Sequence, residues 1–350
     1  MLEALRVFAL DEDFQTVTVD IPYTNLQWKR RYYEAGEFSM QVTLDVYDTS
    51  WAYIGSTDRP ELGMVQKVEH QDETERFVQV SGFFCEKMLD ARVCFPRYTG
   101  DASYTETAAH NIFKRYIGGL PIEEGPVHSP LLGDRTQSDF SDDELGTKLY
   151  SILETRELSQ RVEYDYLQNK LVWSVWQGVD RTQSQSDNPW AVFSSEFGNI
   201  DKSDYTRDSS DLKNYCIIPA KEDENGKETV VEYVDWTNGG DRHEMVLDKR
   251  GEKPEDGQSD ADFRAGLRQE GAEALMEHQV VEDVDIDSHD GQYLVDYDLG
   301  DVCDIIIQSI GVTAEARIVE VDEVYKAGSH KATLGFGNKR ISNTARRANR

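Results

Sequence analysis

Two alternating runs near opposite ends of the chain constrain its fold most. One is LQWKRRYYEAGEFSMQV, Leu26 to Val42; the other is DYDLGDVCDIIIQSIGVTAEARIVEVDEVY, Asp296 to Tyr325. Each holds apolar stretches at the spacing of half-buried strands, broken by charged turns. Neither has the spacing of a catalytic motif, so the chain reads as structural. Its 350 residues leave room for about two or three domains with buried cores.

The formal charge is −30 at pH 7. Binding of double-stranded DNA by wrapping is not expected, because phosphate contacts need Lys and Arg. An acidic wall would suit a channel that DNA slides through; the simpler account is solubility. With 38% apolar residues and a mean hydropathy of −0.63, no run reaches the roughly 18 apolar residues of a membrane-spanning helix. The start, MLEALRVFALDED, has acids where a signal peptide needs a basic region, so secretion by that route is not expected. Cys85, Cys94, Cys216 and Cys303 show no CxxC spacing and are expected to be small buried residues.

Along the chain, LRVFAL and QTVTVD flank the turn DEDF. EFSMQVTL places Phe38, Met40, Val42 and Leu44 on one face. MVQKVEH and ERFVQVSG form a hairpin across Gln71–Thr74, and CEKMLDAR is a helical turn. Residues 96–182 change character. Ser103-Tyr-Thr-Glu106 reads as a capping box for a helix with Ala108, Ile112, Phe113 and Tyr116 inward, ended by Gly118-Gly119. Ser141-Asp-Asp-Glu144 reads as a second capping box, with Leu145, Leu149, Ile152 and Leu153 on one stripe. RVEYDYLQNKLVWSVWQG is a hairpin turning near Gln168-Asn169.

β signals resume after the linker RTQSQSDNP. Asn225-Gly226 between two strand-like runs marks a hairpin. A helix from about Ser259 to His278 turns Phe263, Leu267, Ala274 and Leu275 inward, weakened by Gly266 and Gly271. Four or more strands follow. The expected fold is therefore mainly β with an α+β insert. The divisions are a first β domain at 1–95, the insert at 96–182, a second β region at 183–338 with the helix 259–278, and a basic tail at 339–350.

Several constellations have plain structural readings. Asp283, Asp285, Asp287 and Asp290-Gly291 lack the Gly and Glu of a calcium loop, and D-V-D-I-D points Val284 and Ile286 inward instead. His243 beside Asp241 and Glu244 has no nucleophile in a recognisable motif and reads as a surface histidine. Dense acids give no signal for a glycosidase pair. Trp28-Lys29-Arg30-Arg31-Tyr32-Tyr33 could stack on nucleic acid. The simpler account is rings covering a sheet, with Arg30 and Arg31 pairing local acids or a neighbouring subunit. The tail KRISNTARRANR holds five Lys and Arg and no acid. A tail of this composition is disordered by default, and acidic surface on a neighbour is the alternative that would order it. No catalytic, cofactor-binding or metal-binding residues are assigned. The candidate assembly contacts are Trp28, Arg30, Arg31, Arg340, Arg346, Arg347 and Arg350.

LQWKRRYYEAGEFSMQV resembles the opening signature of the siphophage tail-hub family, which is related to the hubs of contractile phage baseplates. MVQKVEHQDETERFVQVSGFFCEKMLDARV resembles its next block, and EFGNI with KNYCIIPA its third. DYDLGDVCDI, ARIVEVDEVY and TLGFG resemble its last. Phe83, Phe84 and Cys303 depart from the family pattern. The resemblance implies two tail-tube-like β-barrel domains per protomer and a homotrimer forming a pseudo-sixfold ring in the virion. That ring would join a tail tube or distal tail protein to a tip, spike or fibre protein. The tape measure protein would end in its lumen and genomic DNA would transit it, without membrane insertion by this chain. Two other readings are a tail-associated cell-wall hydrolase and a glycan-binding receptor module using Trp173, Trp176 and Trp190.

Overall fold

The structure, a computed structural model, describes residues 4–70, 76–140, 143–200, 202–222, 227–254, 257–288, 293–326 and 329–337. The chain opens with β1 (Val7–Leu10), β2 (Thr16–Thr18), β3 (Tyr23–Arg31) and β4 (Glu37–Thr43). Then come β5 (Tyr53–Ser56), β6 (Arg59–Met64), β7 (Lys67–Glu69), β8 (Phe77–Phe83) and a 3-10 helix, Cys85–Ala91. The middle holds β9 (Tyr98–Tyr104), α1 (Thr105–Tyr116), β10 (Ile122–Glu124), β11 (Arg135–Phe140), α2 (Leu145–Glu154), β12 (Ser159–Asp165) and β13 (Lys170–Trp176). The last part begins with β14 (Val192–Ser194), β15 (Lys202–Asp208), β16 (Tyr215–Glu222), β17 (Glu228–Asp235) and β18 (Glu244–Val246). It ends with α3 (Asp260–Met276), β19 (Val281–Ser288), β20 (Val302–Ile307), β21 (Val312–Lys326) and β22 (Ser329–Gly337).

The two end runs pair with each other. β21 lies antiparallel to β3, with Glu320 opposite Arg31 and Lys326 opposite Asn25. This joins β15-β19-β22-β21-β3-β4-β8-β7 into one sheet, to which β20 adds on β21 and β14 on β20. A second sheet runs β10-β13-β12-β6-β5-β1-β2, so β5 and β6 sit with the strands of the middle segment. The mainly β expectation holds. The two closed barrels do not: among the described residues both sheets are open, ending at β15 and β7 and at β10 and β2. Closure would need those end strands to pair, and instead strands far apart in sequence are interleaved.

Alternation builds the inner faces. Leu26, Trp28, Phe38, Met40 and Val42 share one core with Trp51 and Val80. Leu44, one step past β4, is exposed, because the strand has ended. A second core packs α1 and α2 on β12 and β13 through Ile112, Phe113, Leu149 and Trp173. Phe193, Ile305, Ile318 and Phe336 form a third. Burial of one such large apolar side chain contributes about 1.5–3 kcal/mol. All four cysteines are free and buried.

Helix ends differ from the capping-box expectation. α1 starts after Tyr104 with no side-chain cap. Glu106 instead turns into the protein and accepts the amides of His128 and Leu132 and the His128 ring. α2 follows Glu144, and its Thr147 amide bonds Asp90 of the 3-10 helix; Ser141 lies outside the described residues. α3 is capped as its sequence suggests, with Ser259 accepting the Asp262 amide. It covers the sheet β17-β16-β18 through Phe263, Leu267 and Leu275. Gly271 has a packing reason: a Cβ there would meet Ile218 Cδ1 at 2.4 Å. The strands flanking Asn225-Gly226 and those flanking Gln71–Thr74 pair as expected, although both turns lie outside the described residues.

Candidate functional site

β3 points Leu26, Trp28 and Arg30 to one face. The third puts a guanidinium where the pattern asks for hydrocarbon, and Arg30 is buried. A charge there needs opposite charges with their hydrogen bonds made. Arg30 Nε donates to Glu61 at 2.5 Å, and Nη1 donates to Asp298 and to the Tyr293 hydroxyl, both at 2.6 Å. Glu61 comes from β6 of the other sheet; Tyr293 and Asp298 precede β20. Desolvation opposes the charged form, yet Glu61, Tyr293 and Asp298 together hold Arg30 well above the usual arginine value.

A second arginine crosses the same gap the other way. Arg59 of β6 donates from Nε and Nη2 to the two oxygens of Glu323 on β21, at 3.0 and 2.6 Å. The Tyr325 hydroxyl donates to Glu323 at 2.6 Å and accepts from Arg59 at 3.2 Å. Burial pushes the Glu323 carboxyl up, but hydrogen bonds from His330, Arg59 and Tyr325 and the Arg59 charge bring it down to about 2. Farther along β21, Arg317 donates to Glu157 at 2.7 Å and to the Gly300 carbonyl at 2.5 Å, above the Tyr32 ring. Arg181 donates to Asp301 at 2.6 Å.

Beside Arg30 lies a cavity of about 30 Å³ whose walls include Glu61, Glu86, Gln160, Trp176 and Asp298. Glu61 Oε2 and Glu86 Oε2 are buried without a hydrogen-bond partner. Burial pushes Glu86 up to about 7; Glu61 adds to that, while the Val162 amide and Arg30 oppose it. The arrangement can hold two sheets in one register. Its guanidinium charges are neutralised by carboxylates, which leaves an array suited to positioning. Among the described residues, no group of His, Cys, Asp and Glu is arranged to hold a metal ion.

The candidate assembly residues fall in three places. Trp28 is fully buried against Phe84 and Phe38 in its own chain. Arg30 is in the seam. Arg31, on the opposite face, pairs Glu37 at 2.7 Å and Glu320 at 3.2 Å and lies 3.4 Å from Glu34. Arg340, Arg346, Arg347 and Arg350 lie outside the described residues.

The three tryptophans do not share a groove. Trp173 is buried and stacked on Phe113, Trp176 lies against Tyr32, and Trp190 is exposed on the linker. Ile286 is buried as expected; the side chains of Asp283, Asp285 and Asp287 lie outside the described ones. His243 is exposed, its amide bonded to Asn214. The sequence reading passed over Arg59, Glu61, Glu86, Asp298, Arg317 and Glu323. The available signal was phase: Glu323 falls between Val321 and Tyr325 on the buried face of β21.

The model of the Siphovirus ReqiPepy6 Gp37-like protein family matches residues 127–338. No curated protein matches the chain. Among solved structures, the fold is similar to prophage tail protein gp18 from Listeria monocytogenes EGD-e. That comparison has a TM-score of 0.58 at 13% identity, covering 99% of this chain and 98% of that one. It is similar to the tail protein from Neisseria meningitidis MC58, with a TM-score of 0.59 at 12% identity over 97% and 98%. The prophage MuSo2 43 kDa tail protein from Shewanella oneidensis gives 0.56 at 12% identity over 95% and 98%. At such identities the likeness is one of fold. The chain thus has the fold of phage tail proteins, and it belongs to the Siphovirus ReqiPepy6 Gp37-like protein family.

Proposed function

We propose that this chain is a virion component, the structural hub of a phage tail tip or baseplate. Three copies form a ring that joins the hexameric tail tube or distal-tail ring to the central tip, spike or fibre. The ring encloses part of the DNA ejection channel, where the tape measure protein ends. The observation that carries this reading is the nearly complete two-way overlap with tail proteins of the same size. The open sheets support it. A closed barrel needs no neighbour, whereas the edges at which the sheet ends among the described residues, β15 and β7, suit strands or loops of adjacent subunits. In this reading the basic C-terminal residues Arg340, Arg346, Arg347 and Arg350 make assembly contacts.

A map of the assembled particle tests the reading. The chain is expected in a threefold position between tube and tip, and a sixfold or single-copy position would sink it. The channel wall is expected to be rich in Asp and Glu, since Lys and Arg there would hold phosphate and slow DNA exit. The role is non-enzymatic, so no sugar release from purified cell walls is expected. Turnover in that assay would favour the hydrolase reading.

A further inference from the structure

Beyond the seam, the second sheet ends at an uncovered edge. Among the described residues β2 pairs with β1 alone, and Val19, just past β2, is 67% exposed. Against this edge opens a cleft of about 470 Å³ lined by Val19, Asp20, Phe8, Phe14 and Tyr166. A second cleft, of about 570 Å³, shares Thr57, Tyr164 and Tyr166 with the first and adds Asp58, Glu163 and Asp165. The two make one trough. Leu167, next to Tyr166 at the hairpin tip, is 97% exposed.

The wall of this trough is built at some cost. Phe14 has φ of 59°, an unfavourable conformation for an aromatic residue. Asp11 holds the turn by accepting the amides of Asp13 and Gln15. The result sets the Phe14 ring 4.7 Å from Tyr53 and 6.0 Å from Tyr164, nearly parallel to both. The lining is acidic on balance. Asp20, Asp58, Glu163 and Asp165 face Arg6 and Arg59, and Arg59 is already neutralised by Glu323. Glu12 and Asp13, exposed on the Phe14 turn, add to the negative charge.

An open strand edge beside an apolar, acidic trough suits an extended segment with cations and an aliphatic side chain. We propose that the trough takes the segment Lys339–Arg350 of a second copy of this chain, laid along β2. That segment has five cations, no acid and a single large apolar residue, Ile341. The match is one of charge and shape: the acidic lining faces five cations, and the apolar wall of Val19, Phe8 and Phe14 faces Ile341. The inference rests on the hub reading, because it needs neighbouring copies.

The test uses a labelled peptide of residues 339–350 and the full chain, diluted until it is monomeric, read by fluorescence anisotropy. Saturable binding that weakens several-fold in high salt is expected. The double variant Val19→Lys with Asp20→Asn, checked for an unchanged melting temperature, is expected to bind at least about tenfold more weakly. A peptide with Ile341→Asp is expected to lose a similar factor. Equal binding of a scrambled peptide, or unchanged binding by the double variant, would reduce the effect to general charge attraction and overturn the proposal. So would no binding, the result if each monomer's own tail fills the trough. Particle stoichiometry is scored separately. A threefold ring with no peptide binding overturns the trough proposal and leaves the hub reading standing. A single-copy position overturns the hub reading whatever the peptide does.

Discussion

Glu323 and Glu86 are both buried glutamates of the same inter-sheet region, and they behave oppositely. Glu323 accepts from Arg59, Tyr325 and His330, and its carboxyl is held at about 2. Glu86 accepts the Val162 amide on one oxygen and leaves the other without a partner, facing a cavity it shares with Glu61. Burial pushes it up to about 7. Burial raises both; Glu323 has three side-chain donors and the Arg59 charge against it, whereas Glu86 has backbone amides and Arg30 against it and the Glu61 charge with it. Burial alone therefore does not set a charge state, and the partners decide whether a buried acid is an anchor or a proton store.

The largest expected effect comes from breaking the anchored side. Glu323→Ala leaves the Arg59 guanidinium buried and unpaired, which costs about 3–5 kcal/mol. Chemical denaturation of the two proteins measures it. The double variant Arg59→Met with Glu323→Leu is expected to recover most of that loss, since the pair specifies register more than it adds stability. No recovery would mean that the pair itself is a net stabiliser.

pH sharpens the same contrast. For Glu323 the folded value lies below the ordinary 4.5, so its contribution is present above about 4.5 and lost as pH falls through about 2. For Glu86 the folded value lies above 4.5, so its contribution is full below about 4.5 and lost as pH rises through about 7. Each amounts to on the order of 3 kcal/mol. Unfolding free energies from pH 5 to pH 8 are expected to fall less steeply in Glu86→Gln than in the natural sequence. Equal slopes would assign the pH dependence to other groups.

The smallest effect is expected at α3. Arg268 donates to Glu232 at 2.8 Å from a half-exposed position. Arg268→Ala is expected to change stability by less than about 1 kcal/mol. At the same helix, Gly271→Val drives a branched side chain into Ile218 and Val234 and is expected to cost about 1–3 kcal/mol. A larger loss at Arg268 than at Gly271 would reverse the view that apolar fit, and not surface charge, holds α3.

Local pattern was legible where one face of an element is simply apolar. The alternation of Phe38, Met40 and Val42, the stripe Phe263, Leu267 and Leu275, and the turn at Asn169 all appear in the structure. Pairing across long separations was not legible, because alternation fixes which residues face inward and says nothing of which strand lies alongside. So β21 beside β3, and β6 beside β12, could not be read from the sequence. The seam was missed for a related reason. An arginine in inward phase looks like a break in the pattern until its carboxylate, on another sheet, is seen. Glu106 shows the converse: at capping-box spacing it was instead recruited by a distant loop.

The pairing of β3 with β21 also has a kinetic side. Gln27 and Asp322, hydrogen-bonded across that junction, are 295 residues apart. At synthesis rates of about 5–20 residues per second, β3 waits roughly 15–60 s for its partner to leave the ribosome. During that time one edge of an apolar strand stands unpaired, inviting association with other nascent chains. Contacts of such long range also slow the search for the native state. Productive folding of this chain is thus expected to wait until β21 has been made, and to profit from dilution or chaperones until then.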